Sequence, residues 1–234
     1  MPGHGRLKGF VMLSRMRWMA LVLWLGFASL SAMDMNQHPD QAIRDTIERV
    51  RQQIQQERAS FQARPEQLYD LVESEFMPHI DSRYIAQLVL GRHWPGASES
   101  QRTRFISALK DHLMYSHALS LLEYEDTAEL HWQPVPSAAD ATDVVVPMEV
   151  IRSDTPPVRV NFSVRLVGTE WKIYDVSTGG ISMVTNFRGQ FNAVIRKEGL
   201  DALIARLSEH TRRKEDKVRE KAEVETGPTT SGAP

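Results

Sequence analysis

An α+β fold built around an antiparallel sheet meander is predicted by three observations on this 234-residue chain. Apolar residues recur at helical spacing from Asp40 to about Leu122, switch to a period of two after Glu123, and return to helical spacing from Thr185. Helices, then consecutive strands, then helices keep the two element types apart along the chain, whereas an α/β fold would interleave them. The composition, 41% hydrophobic and 25% charged, is that of an ordinary globular protein and excludes a largely disordered or polytopic membrane chain. Its length fits one domain with appendages.

The first appendage is N-terminal. Arg6, Lys8, Arg15 and Arg17 precede or enter an apolar run from Trp18 to Ala28 that is too short for a bilayer-spanning helix, which needs roughly 20 residues. Basic residues, a short apolar run and then small residues are the pattern of a Sec-type signal peptide over residues 1–31. Ser29 and Ser31 suit cleavage after Ser31, with cleavage after Ala32 as the alternative. All 30 acidic residues but only 24 of the 28 basic ones follow Met33, so the exported chain carries a net charge near −6. That charge gives no reason to expect a nucleic-acid partner, which normally meets a basic stripe. With no cysteine there is no disulfide, no thiol nucleophile and no lipidation site, and the mature protein is expected to be free in its compartment.

The mature domain, 32–210, follows element by element. Ile43, Ile47, Val50 and Ile54 make one helical stripe. Pro65 suits the first turn of a second helix through Leu68, Leu71, Val72 and Phe76, which Pro78 ends. Asp81 is a candidate cap for a third helix that stops at Gly91. Ser98 and Gln101 make a capping box for a fourth, with Phe105, Leu109 and Leu113 on one face. In the strand region, Val144, Val146, Met148 and Val150 alternate with Val145, Pro147, Glu149 and Ile151, and Pro147 points to an edge strand or a bulge. Val158, Val160, Phe162, Val164 and Leu166 alternate with polar residues, and a turn at Val167-Gly168-Thr169-Glu170 leads into a strand from Trp171, as in an antiparallel hairpin. Phe187, Phe191, Val194 and Ile195 form the next helical stripe, broken by Gly199 before a short last helix with Leu200, Leu203, Ile204 and Leu207. Residues 211–234 hold almost no large apolar side chain and are expected to be a disordered charged tail.

No catalytic pattern emerges. His112 and His117 are five apart, not the i, i+4 spacing of a helical zinc pair. Gly180-Ile181-Ser182-Met183-Val184 lacks the second glycine of a nucleophile elbow. Neither a phosphate-binding loop nor a dinucleotide fingerprint is present, so no catalytic residue, metal or cofactor is expected.

Trp171-Lys172-Ile173-Tyr174-Asp175, then Gly180-Ile181-Ser182-Met183-Val184, then Asn186-Phe187-Arg188-Gly189-Gln190-Phe191 together resemble the signature of the MlaC family, periplasmic phospholipid-binding proteins also called the toluene-tolerance auxiliary family. The likeness extends to Leu90-Gly91-Arg92-His93-Trp94 with Gln101 and Phe105, to Tyr115 to Tyr124, and to Gly199 through Leu207, and so covers about Asp40 to Leu207. His131 to Thr142 and the tail after Thr211 depart from it.

The resemblance implies a carrier that moves phospholipid between an outer-membrane lipoprotein complex and an inner-membrane ABC transporter with MCE-domain subunits, maintaining outer-membrane lipid asymmetry. A periplasmic lipid hydrolase on the same scaffold and an envelope adaptor without lipid cargo are the alternatives. A carrier needs an apolar cavity in place of solid packing. Candidate sheet walls are Val144, Val146, Met148, Val160, Phe162 and Val164; candidate helical walls are Leu88, Phe105, Leu109, Leu113 and Phe191. Lys172 and Arg188 could touch a phosphate, but a role in the fold is the preferred reading of both.

Overall fold

The computed structural model of the chain describes residues 38–124, 128–135 and 140–225; the candidate signal peptide lies outside them. Helices α1 (Gln41–Ala63), α2 (Pro65–Phe76), α3 (Ser82–Leu90) and α4 (Glu99–Tyr124) precede strands β1 (Ala128–Trp132), β2 (Asp143–Arg152), β3 (Thr155–Val167), β4 (Glu170–Thr178) and β5 (Ile181–Ser182). Helices α5 (Met183–Glu198) and α6 (Leu200–Glu225) follow. The strands pair in sequence order, every neighbour antiparallel, so the sheet is a meander and the fold is α+β.

Local chemistry sets the helix boundaries. Pro65 occupies the first turn of α2, where its missing N–H costs nothing. The Tyr84 N–H donates to Asp81 Oδ1 at 3.0 Å and caps α3. Gly91 ends that helix with φ +51°, a conformation that disfavours any residue with a Cβ. At α4 the Gln101 N–H donates to Ser98 Oγ at 3.2 Å while the Ser98 N–H donates to Gln101 Oε1 at 3.0 Å, a reciprocal capping box.

Pro147 falls in an interior strand rather than at an edge, because β2 lies between β1 and β3. The position is edge-like only locally. Regular pairing with β1 ends at Trp132 opposite Met148, and Pro147 faces the residue beyond. The Gln133 N–H donates to the Pro147 carbonyl at 3.0 Å. The Gln133 carbonyl, which would accept from an N–H that proline lacks, instead accepts from the Arg44 guanidinium at 3.4 Å. One further irregularity matters for the site: between Ser163 and Val164 the register with β4 shifts, so Tyr174 is an extra residue on β4.

Among the described residues, three apolar clusters make the core. Val144, Val146, Met148 and Val164 on one sheet face pack with Ile43, and with the half-buried Ile47, of α1. Val50, Ile54 and Phe61 of α1 meet Leu68, Tyr69 and Val72 of α2. Leu90, Phe105, Phe191, Leu203 and Leu207 join α3 to α6.

The last helix is longer than the sequence reading expects and continues through residues 211–225. Thr211 is buried, and the Tyr115 hydroxyl is hydrogen-bonded to Glu215. Leading into this stretch, Glu209 pairs with Arg212 and Arg213, one turn on. Strong helix formers with i→i+3 and i→i+4 ion pairs extend a helix already anchored by packing, without needing apolar area of their own.

Candidate functional site

A cavity of about 380 Å³ lies between the β3–β4 half of the sheet and helices α2 to α5, within the usual range for ligand pockets. Val72 and Phe76 of α2, with Met77 and Ile80 after it, form one wall; Ile85 and Val89 of α3 form the next. From α4 come Ile106, Leu109, Leu113, Met114 and Leu121, and from α5 Met183, Val184 and Phe187. The sheet contributes Phe162 and four successive residues, Ile173 to Val176. Regular alternation would turn every second one of those away; the bulge at Tyr174 breaks the alternation within that run.

Among the described residues, Ser82, Lys110, Tyr174 and Asp175 are the polar or charged ones on the wall. The Tyr174 hydroxyl donates to Asp143 Oδ1 at 2.9 Å, and burial together with that carboxylate pushes its phenol up to about 12. Asp175 is consumed by the fold: Oδ1 accepts from the Val184 N–H at 3.0 Å and Oδ2 from the Ser182 hydroxyl at 2.5 Å. Ser182 Oγ in turn accepts from the Thr185 N–H at 3.1 Å, so Ser182 caps α5. Lys110 Nζ donates to Glu73 Oε1 at 2.5 Å, and that bond raises its pKa. Such a lining can shelter hydrocarbon and offers charge at only a few points.

Of the candidate wall residues, Leu109, Leu113 and Phe162 border this cavity. The other eight do not. Val144, Val146, Met148, Val160 and Val164 are on or beside the sheet core that α1 covers, with Val146 and Val164 fully enclosed. Phe162 marks the division, lining the cavity and stacking on Trp132 at 6.2 Å. Leu88, Phe105 and Phe191 belong to the helical core, where Phe105 meets Phe191 edge-on at 6.2 Å. On α3 the cavity faces Ser82, Ile85 and Val89, and Leu88 is one residue, about 100°, off that stripe. Similarly on α4, Ile106 faces the cavity and Phe105, its neighbour, does not. A signal for this was available: apolar residues surround α4 on more than one side, at Phe105, Ile106, Leu109, Leu113 and Met114, as in a helix with two apolar neighbours.

The signature residues hold elements together around the cavity. Arg188 Nε donates to the Leu88 carbonyl at the end of α3 at 2.6 Å, tying α5 to α3. Lys172 Nζ donates to the Pro78 carbonyl at 2.6 Å and pairs with Glu170. Arg102 lies over the Trp94 ring, 4.9 Å from its centroid, and donates to the Trp94 carbonyl at 3.1 Å. His112 packs edge-on against His210 and Phe187, and the side chain of His117 lies outside the described residues. Among the described residues no group of three or more metal-ligating side chains is assembled, and no helix is long and apolar enough to cross a membrane.

The chain is 22% identical over 159 residues to the intermembrane phospholipid transport system binding protein MlaC of Haemophilus influenzae, covering 67% of this chain and 74% of that protein. It is 25% identical over 191 residues to the toluene tolerance protein ttg2D of Pseudomonas putida, covering 81% and 87%. A phospholipid-binding protein from Ralstonia solanacearum, solved in complex with a phospholipid, shares the fold with a TM-score of 0.69 at 24% identity, over 74% of this chain and 97% of that one. The family profile described as MlaC protein matches residues 44–209. A profile match over most of the chain, on the residues that enclose the cavity, shows that this protein belongs to the MlaC family.

Proposed function

We propose that this protein is a periplasmic phospholipid carrier that shelters acyl chains in the cavity between the β3–β4 half-sheet and helices α2 to α5. The observation that carries the reading is the wall itself: nearly every group facing the space is aliphatic or aromatic, in a family whose relatives are named for phospholipid transport. Each buried methylene is worth ~0.8 kcal/mol, so two chains of roughly 16 carbons face ~25 kcal/mol in water. A cavity of this kind removes the part of that barrier that belongs to the carbons it encloses, and so speeds transfer between two membranes. In the proposed cycle the carrier exchanges lipid with an outer-membrane lipoprotein complex and an inner-membrane MCE-domain ABC transporter, and so maintains outer-membrane lipid asymmetry. The protein works as a monomer after removal of residues 1–31, with 32–210 as the lipid-binding domain, and performs no chemistry on the lipid.

Organic extraction of the purified mature protein followed by mass spectrometry tests this directly. Intact phospholipid, near stoichiometric with protein, is expected. Hydrolysed lipid would favour an enzyme, and lipid-free protein that cannot be loaded from vesicles would favour an adaptor. Cell fractionation with N-terminal sequencing checks the compartment: a full-length chain retained in the membrane would overturn it.

A further inference from the structure

Among the described residues, Lys110 on α4 is the cationic side chain on the cavity wall. Its ammonium holds Glu73 of α2 at 2.5 Å and stands 3.5 Å from Asp111. The Lys110 side chain is 26% exposed and that of Glu73 is 52% exposed, so the pair lies where the wall reaches water. Asp175, the other charged wall residue, has both oxygens engaged within the fold and is closed to a new partner. An amphiphile with its chains in the cavity and its head toward Lys110 therefore meets one cation flanked by two carboxylates.

We propose that Lys110 and Glu73 form the headgroup subsite, and that it takes a zwitterionic phosphodiester, with the phosphate on Lys110 and the ammonium on Glu73, in preference to an anionic headgroup. This rests on the carrier reading and deepens it. A lysine ammonium has three donors, so it can hold a phosphate oxygen without giving up Glu73. With Lys110, Glu73 and Asp111 charged, the cluster carries a net charge of about −1. A zwitterion leaves that sum unchanged and sets each of its charges against an opposite one. An anionic headgroup adds a second uncompensated negative charge beside the two carboxylates. The hydrogen bond that Lys110 donates to the Glu73 carboxylate raises the Lys110 pKa, which keeps the ammonium charged at neutral pH.

The test uses delipidated mature protein equilibrated with vesicles of equal parts phosphatidylethanolamine and phosphatidylglycerol with the same acyl chains. Protein is recovered, extracted and quantified by mass spectrometry. Wild type should carry about threefold more of the ethanolamine lipid, the scale of a partly exposed ion pair. Glu73→Gln should bring the ratio close to one, and Lys110→Met should lower the total load several-fold. Melting curves establish that both variants are folded. A wild-type load in the offered ratio, or an unaltered ratio in Glu73→Gln, overturns the subsite and leaves the carrier intact. Failure of wild type to take up either lipid overturns the carrier reading and the subsite with it.

Discussion

Placing a carboxylate in the cavity at Leu113 should separate the cavity from solid core more cleanly than any deletion. Leu113 lies on α4, borders the cavity and is only partly buried. Leucine and glutamate have similar helix propensities, so Leu113→Glu leaves the intrinsic stability of α4 nearly unchanged. In the empty protein water can reach the new carboxylate, and the loss is the apolar burial of half a leucine, about 1–2 kcal/mol. For a domain of this size that is about 5 °C in Tm. With acyl chains present the same carboxylate is desolvated, at several kcal/mol, and ~3 kcal/mol already lowers affinity about 100-fold. Phe105→Ala is the control. Phe105 is fully buried in the helical core and does not border the cavity, so its loss should cost about 3–5 kcal/mol of stability and spare the lipid load per folded molecule. Both should be melted after delipidation, because bound ligand raises Tm by mass action. A wild-type lipid load in Leu113→Glu, or unfolding as severe as that of Phe105→Ala, would refute the placement of Leu113 on a lipid-filled cavity.

Other outcomes follow from the hydrogen bonds. Asp175→Ala removes the acceptor for the Val184 N–H and the Ser182 hydroxyl, and should lower stability by about 1–2 kcal/mol, measured by denaturant titration. Tyr69 and Tyr174 are each raised to about 12, chiefly by burial, above the ordinary tyrosine value near 10. The fold thus favours their protonated form; the corresponding stability is complete below about pH 10 and is lost as pH rises toward 12. Tyrosinate absorbance should show a group titrating above the ordinary value, and two ordinary titrations in its place would refute the assignment. Truncation after Thr211 removes Glu215 from Tyr115 and should lower Tm by a few degrees without reducing lipid load; an unchanged Tm would show that the end of α6 contributes nothing.

Helix ends and strand alternation were legible because they are local. Asp81, Ser98 with Gln101, Gly91 and Gly199 satisfy or terminate backbone hydrogen bonds within a few residues of themselves, so neighbours in sequence carry the information. The alternation of β3 similarly shows which of its side chains share a face. The extent of α6 was not legible, since the scarcity of large apolar residues beyond Thr211 hides a helix that depends on ion pairs and on the distant Tyr115.

The order and type of the helices and of β2 to β4, the antiparallel meander and the apolar character of its inner face were legible in the sequence, whereas the short strands β1 and β5 were not. The sequence by itself could not determine which part of the inner face is core and which is cavity, because Val146, Val164 and Phe162 are chemically alike and differ only in what lies opposite. Tertiary packing decided that. Ile43 and Ile47 of α1 close over the β2 side, while the cavity lies against Phe162 and the bulged stretch of β4. Burial is a relation between surfaces distant in sequence, and a pattern read along one strand holds only its own half of that relation.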